Sequence, residues 1–441
     1  SVDAVAEPLI AKYKETYKLT QAEAEQVKQE ISEKIRLVTA EYESSDIKDA
    51  EKLKQNLTAI IEHDFVQAKV EQQETKAVET VQKSKEEEVR EHLRAFTRTI
   101  PMFVMANSSR ETITIDNFDE QISDEDFIDL TNITKEEFHK LRDGFEYTDD
   151  NGERQRFEGV FHKYKFNASI AEFVAEKQKR ANYFETDEDI FELIPNQKNN
   201  QIFTPRKVVK MMVDGLEKEQ PELFRRTDST FIDLYMKSGM YITEIVKKLF
   251  TNTRHNYSSD AECLKHILEN QVYGLAPTGV LHGITTSYIF GFDTEHTVSS
   301  KNFVQHDLLP QAKDGTATTK LAQLFGNGGN MMKFDAVVGN PPYQENFDNR
   351  GEQPSIYHKF IDMSQQLSDV ACLITPARFL SNVGSTPSEF NIRMLKNNHF
   401  KITEFYQKSA DVFPGTDIKG GVAISLFNKN KKYEIIDTFT T

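Results

Sequence analysis

A chain of 441 residues can hold two or three domains, and with 38% hydrophobic and 28% charged residues part of it must be solvated helix rather than dense core. Its two cysteines, Cys263 and Cys372, lack Cys or His at ligand spacing, which excludes a disulfide framework and a zinc site; no metal is expected. No apolar run reaches the ~20 residues of a membrane span, Ser1-Val2-Asp3-Ala4 opens no secretory leader, and a net charge of −16 excludes a dominant basic surface, so a cytoplasmic protein is expected.

Between Lys12 and Arg94 the chain is rich in Glu, Lys, Gln and Ala and holds neither Gly nor Pro, which predicts long helices. Val27, Ile31, Ile35 and Val38 recur every three to four residues and lay one apolar stripe along a charged rod. Residues 1–95 therefore read as a helical bundle or spacer. From Phe96 to about Tyr183 shorter helical pieces carry aromatic anchors at Phe118, Phe127, Phe138, Phe161 and Phe173. Asp124, Thr134 and Asp187 are the expected caps there, and 96–194 reads as a helical linker domain.

Beyond Phe231 short apolar runs at 231–234, 271–275, 334–338 and 370–374 read as buried strands, with helical segments near 241–250, 258–269 and 355–368 between most of them. Such alternation predicts an α/β domain with a doubly wound, mostly parallel sheet. Ligands in such sheets sit outside the carboxyl ends of the strands.

Immediately after the run 334–338 stands Gly339-Asn340-Pro341-Pro342-Tyr343. An exocyclic amino nitrogen is a poor nucleophile because its lone pair is delocalised into the ring, and activating it takes acceptors that hold both N–H groups. The Asn340 side-chain oxygen is one acceptor and the Pro341 carbonyl a second. Pro341 and Pro342 remove competing donors and stiffen the turn, and Tyr343 offers a flat face for a base.

Asp335 to Tyr343 resembles the catalytic motif of amino-methylating methyltransferases, a group that includes adenine-specific DNA enzymes and enzymes acting on glutamine side chains of release factors. The order of the other motifs is similar to the gamma class of N6-adenine DNA methyltransferases of restriction-modification systems. Asn200 to Pro205, ahead of a helical run, resembles the segment that opens their catalytic domain, where the threonine reaches the cofactor carboxylate; Thr204 is a good N-cap and Pro205 suits a first helical position. Asp233 to Tyr241 sits where their cofactor loop belongs. The resemblance implies that Asp233 meets the ammonium of S-adenosylmethionine and that Gly239 lets the backbone approach it. It gives Asp307 a place beside the cofactor adenine, although a surface turn reads equally well. Two positions depart from the family: Lys237 replaces a glycine, as a clash or as a new carboxylate contact, and Ala276 stands where an acid usually holds the ribose.

Leu373 to Leu380 resembles the strand and loop that follow the catalytic motif, and Phe413-Pro414-Gly415 with Ile418 to Val422 resembles the last motif, where an aromatic ring packs on a flipped base. Core packing is the competing role for Phe413. The resemblance spans about 195–430 and implies a Rossmann-like class I methyltransferase domain over 195–441, with double-stranded DNA as partner. Glu91 to Pro101 is loosely similar to the helical region after the motor of fused helicase-methylase restriction enzymes. A chain opening on Ser1 then reads as a fragment, with helicase, nuclease and target-recognition regions outside it. The rival readings are a degenerate methylase fold serving as a DNA-binding or scaffold module, and a protein-glutamine methyltransferase.

Overall fold

The computed structural model describes residues 11–12, 35–37, 40, 55, 57–60, 96, 99–106, 112–120, 122–149, 151–194, 202–293, 297–326, 333–344, 354–381 and 385–436. The chain divides into two compact units, Ser1–Leu93 and Arg94–Thr441. In the first, the described residues 35–37 and 57–60 are helical, Leu57 is buried and Ile35 partly buried; Val27, Ile31 and Val38 lie outside the described residues.

The second unit opens with a helical segment at 99–106, followed by α1 (Asp124–Thr131), α2 (Lys135–Asp143), a small antiparallel hairpin of β1 (Phe145–Thr148) and β2 (Arg154–Phe157), and α3 (Lys163–Lys179). Thr134 caps α2 as expected, its hydroxyl on the Glu137 amide and the Glu137 carboxylate on the Thr134 amide. The other two expected caps are displaced by one or two residues. Ser123, in extended conformation, caps α1 by accepting from the Asp126 amide, and Asp124 is the first helical residue. Asp189, not Asp187, accepts from the Phe191 amide to open a short 3-10 turn, while Asp187 pairs with Lys247 at 3.5 Å. Stacked and edge-on rings of Phe96, Phe103, Phe118, Phe127 and Phe138 hold this region together.

The sheet region follows with α4 (Arg206–Glu219), α5 (Pro221–Arg225), β3 (Phe231–Asp233), α6 (Met240–Thr253), α7 (Asp260–Asn270), β4 (Val272–Ala276), α8 (Gly279–Ile289) and β5 (Phe303–Gln305). Then come α9 (Leu309–Asp314), α10 (Ala317–Phe325), β6 (Phe334–Gly339), α11 (Tyr357–Leu367), β7 (Ser368–Pro376), α12 (Ser388–Leu395), β8 (Phe400–Tyr406) and β9 (Val422–Asn428). The seven strands lie in the order β5-β4-β3-β6-β7-β9-β8. Neighbours from β5 to β7 are parallel, and β9 runs antiparallel to both β7 and β8.

Residues along the central strands alternate between two cores, which is why these runs are mostly apolar. Along β7, Val370, Cys372 and Ile374 enter one cluster and Ala371 and Leu373 the other. The first cluster continues without a break into Phe96, Phe118, Phe127 and Ile170, so the helical segment and one face of the sheet share a core. Asp335 aligns the starts of β3 and β6, accepting from the Thr230 amide at 2.8 Å.

The strand order reverses between β3 and β6: β4 and β5 lie to one side, β7, β9 and β8 to the other. In an open sheet a crevice forms outside the carboxyl ends of the two strands at such a switch point. Asp233 ends β3 and Asn340 follows β6, so the topology places both at that crevice.

Candidate active site

Asn340 is 4% exposed and its Nδ2 donates to Thr204 Oγ1 at 3.1 Å. Its Oδ1 is buried and has no hydrogen-bond partner. A buried acceptor without a donor costs free energy. The Pro341 carbonyl likewise receives no hydrogen bond from a described residue. Pro341 and Pro342 are buried, and the Tyr343 hydroxyl is buried without a partner, its pKa held far above the usual phenol value by burial. The Tyr343 carbonyl accepts from the Ile356 amide at 3.1 Å, which fixes the far end of the turn.

Thr204 departs from its expected part as a helix cap. Helix α4 begins at Arg206 with Pro205 in the cap position and no side-chain cap, which leaves the Thr204 hydroxyl to face Asn340. Asn200 and Gln201, the start of that motif, lie outside the described residues. Arg206 anchors the segment from behind. Its guanidinium pairs with Glu244 at 3.1 Å, both side chains almost wholly buried, and donates to the Thr186 and Glu188 carbonyls. Neither this pair nor Tyr241 was singled out from sequence. The Tyr241 hydroxyl donates to Met212 Sδ at 3.3 Å and lies near Thr204, Asp233 and Tyr343. A long charged side chain at a helix start carries no mark of burial, and Tyr241 reads as one more core aromatic.

On the β3 side, Asp233 is 3% exposed and accepts from the Tyr235 amide at 3.0 Å. Burial pushes its carboxyl up to about 7, with Lys237 opposing the rise. A Cβ at Gly339 would stand 2.7 Å from Asp233 Oδ1, so a bare backbone on β6 makes room for this carboxylate. Gly239 has φ +81°, a conformation glycine adopts without steric cost, and it opens α6. Lys237 is 8% exposed, and burial draws its ammonium down to about 8.

Asp307 follows β5, half-buried, with Oδ1 accepting from the Leu309 amide at 3.0 Å. Tyr235, next to the Asp233 carboxylate, feels the charge of Asp307. Ala276 is fully buried at the end of β4 and presents no polar group. Phe413 is 1% exposed within the larger core, covered by the chain's own residues. Thus Thr204, Asp233 and Tyr343 lie around Tyr241 with Asn340 bonded to Thr204, whereas Gly239 packs against Ile289 and Phe413 packs inward.

A seven-stranded sheet with one reversed strand, a buried carboxylate after β3 and an Asn-Pro-Pro-Tyr turn after β6 define a Rossmann-like methyltransferase domain, which takes its methyl group from a bound donor. Residues 232–413 match the family described as Eco57I restriction-modification methylase. A Mycoplasma pneumoniae protein described as an uncharacterized adenine-specific methylase is 21% identical over 297 residues, 55% of this chain and 70% of its own length. A modification subunit of a putative type I restriction enzyme from Vibrio vulnificus is similar at 13% identity and a TM-score of 0.40, over 83% of this chain and 81% of its own. The type ISP restriction-modification enzyme LlaGI, solved in complex with a DNA substrate mimic, is similar over 98% of this chain and 34% of its own, at 15% identity and a TM-score of 0.43. No described helix is long and apolar enough to cross a membrane.

Proposed function

We propose that residues 195–441 transfer a methyl group from S-adenosylmethionine to the exocyclic N6 nitrogen of adenine in double-stranded DNA. The observation that carries this reading is the buried, unpartnered Oδ1 of Asn340, in a turn whose next carbonyl is also free of described donors. Asn340 Oδ1 and the Pro341 carbonyl accept the two amino N–H groups and turn the nitrogen lone pair outward. Thr204 Oγ1 takes up the Asn340 Nδ2 and so leaves Oδ1 for the substrate. Both acceptors are in place before substrate arrives, so no reorganisation is needed during reaction. Tyr343 borders the base. S-adenosylmethionine supplies a methyl group already activated on a sulfonium, so the protein needs no nucleophile of its own.

The donor set fits that cofactor. Asp233 suits its ammonium, Gly239 allows close backbone approach, and Asp307 suits its adenine amino group. The helical segment 96–194 braces the catalytic region through the shared core. A reach into the DNA stack is needed to expose adenine, and a chain with a net charge of −16 needs basic surface from elsewhere to hold a duplex. Target-recognition, helicase and nuclease regions outside this chain would provide it, in a cytoplasmic restriction-modification enzyme.

The test is to incubate the chain with duplex DNA and S-adenosylmethionine, digest the DNA to nucleosides and look for N6-methyladenine by mass spectrometry. Its formation by the wild type and not by Asn340→Ala supports the reading; methylcytosine, or methyl groups on protein glutamine, overturns it.

A further inference from the structure

Asp233 and Lys237 are two buried, oppositely charged side chains in the single loop between β3 and α6, yet they form no ion pair. Among the described residues Lys237 has no salt bridge or hydrogen bond; its nearest noted partner is the Tyr235 ring, 5.7 Å from Nζ. An ammonium so deeply buried without a counter-ion is destabilising unless something else supplies the negative charge. Asp233 is in the mirror position, its carboxylate held by one backbone amide and facing no cation at contact distance.

We infer that Asp233 and Lys237 form a split clamp for an α-amino-acid zwitterion, Lys237 binding the carboxylate and Asp233 the ammonium of the methyl donor. The inference rests on the cofactor reading above and adds to it a cofactor-positioning part for Lys237. Its surroundings suit an anion: α6, 14 residues long, starts three residues further on, and Gly239 at φ +81° turns the loop into it. Burial lowers Lys237 to about 8 and raises Asp233 to about 7, so both charges exist together near neutral pH and each gains from a partner. Ala276 leaves no acid at the end of β4, which places more of the recognition on the amino-acid end of the ligand.

Titration calorimetry of the full chain with S-adenosylmethionine and with 5′-methylthioadenosine, which lacks the amino-acid moiety, tests this. Lys237→Met should weaken S-adenosylmethionine at least ten-fold and leave 5′-methylthioadenosine unchanged, and Lys237→Arg should restore part of the loss. Equal or tighter S-adenosylmethionine binding by Lys237→Met overturns the clamp while the cofactor reading stands. Loss of both ligands by both variants makes Lys237 structural and also overturns it. A folded wild type that binds neither compound overturns the cofactor reading, and the clamp with it.

Discussion

Asn340 Nδ2 donates to Thr204 Oγ1 at 3.1 Å, tying the turn after β6 to the segment ahead of α4 across 136 residues of sequence. With Nδ2 engaged in this bond, Oδ1 is left buried without a partner.

Removing the amide should therefore abolish chemistry and spare the fold. A neutral hydrogen bond of this kind contributes about 0.5–1.5 kcal/mol, so Asn340→Ala should unfold within a few degrees of wild type. Methyl transfer should fall by a factor on the order of 10²–10³ or more, the scale for losing a preorganised polar contact to a reacting group. Thr204→Val removes only the orienting partner and should lower kcat about ten-fold. Labelled methyl incorporation into DNA, read beside thermal melting, checks both; wild-type turnover in Asn340→Ala would refute the site.

Cofactor affinity should depend on pH with two limbs. Below about 7 Asp233 takes up a proton and loses its attraction for an ammonium, and above about 8 Lys237 loses its charge. Tyr241 and Tyr235 border Asp233, Asp307 lies beyond Tyr235, and both phenols stay neutral across this range because burial raises them. Binding of S-adenosylhomocysteine should peak between the two values and approach a ten-fold loss per pH unit outside them. Asp233→Asn should flatten the acid limb and Lys237→Met the alkaline limb relative to wild type. An unchanged profile in both variants would show that these groups do not face the ligand.

The same shifts bear on stability without ligand. The Asp233 pKa is raised on folding, so its contribution is fully present below about pH 4 and is lost as pH rises through about 7. That of Lys237 is lowered, so its contribution is present above about pH 10 and lost as pH falls through about 8. Asp233→Asn keeps an oxygen for the Tyr235 amide and removes the buried charge, so it should raise the denaturation midpoint of the ligand-free chain at pH 8 while weakening cofactor. A drop in midpoint would mean that the carboxylate is stabilised by contacts other than these.

Behind Thr204, the buried Arg206–Glu244 pair should show the asymmetry of internal ion pairs. Arg206→Met leaves the buried Glu244 with only the longer contact to Lys247 at 3.7 Å among the described residues and should cost about 3–5 kcal/mol in urea denaturation. Replacing both residues with apolar ones should recover much of that loss, since the remaining charge is gone. A double variant as unstable as Arg206→Met would place the role of Arg206 in its bonds to the Thr186 and Glu188 carbonyls instead.

Much of this protein follows from sequence because its strands are buried on both faces. Runs such as Phe334 to Val338 are apolar at all but the partly buried Asp335 near the strand start, and an Asn-Pro-Pro turn behind such a run has to stand at the carboxyl edge of the sheet. Direction of pairing leaves no such trace: β9 is as apolar as the parallel strands of the sheet, and only the hydrogen-bond ladder shows that it is reversed. Caps at Ser123 and Asp189 moved from their neighbours because the residue whose backbone leaves the helix is selected by packing around it. The partner of Asn340, the inward turn of Phe413 and the isolation of Lys237 are likewise properties of distances between residues far apart in the chain. Local chemistry names the groups that can act, whereas burial and the presence or absence of a counter-group exist only once the chain is folded.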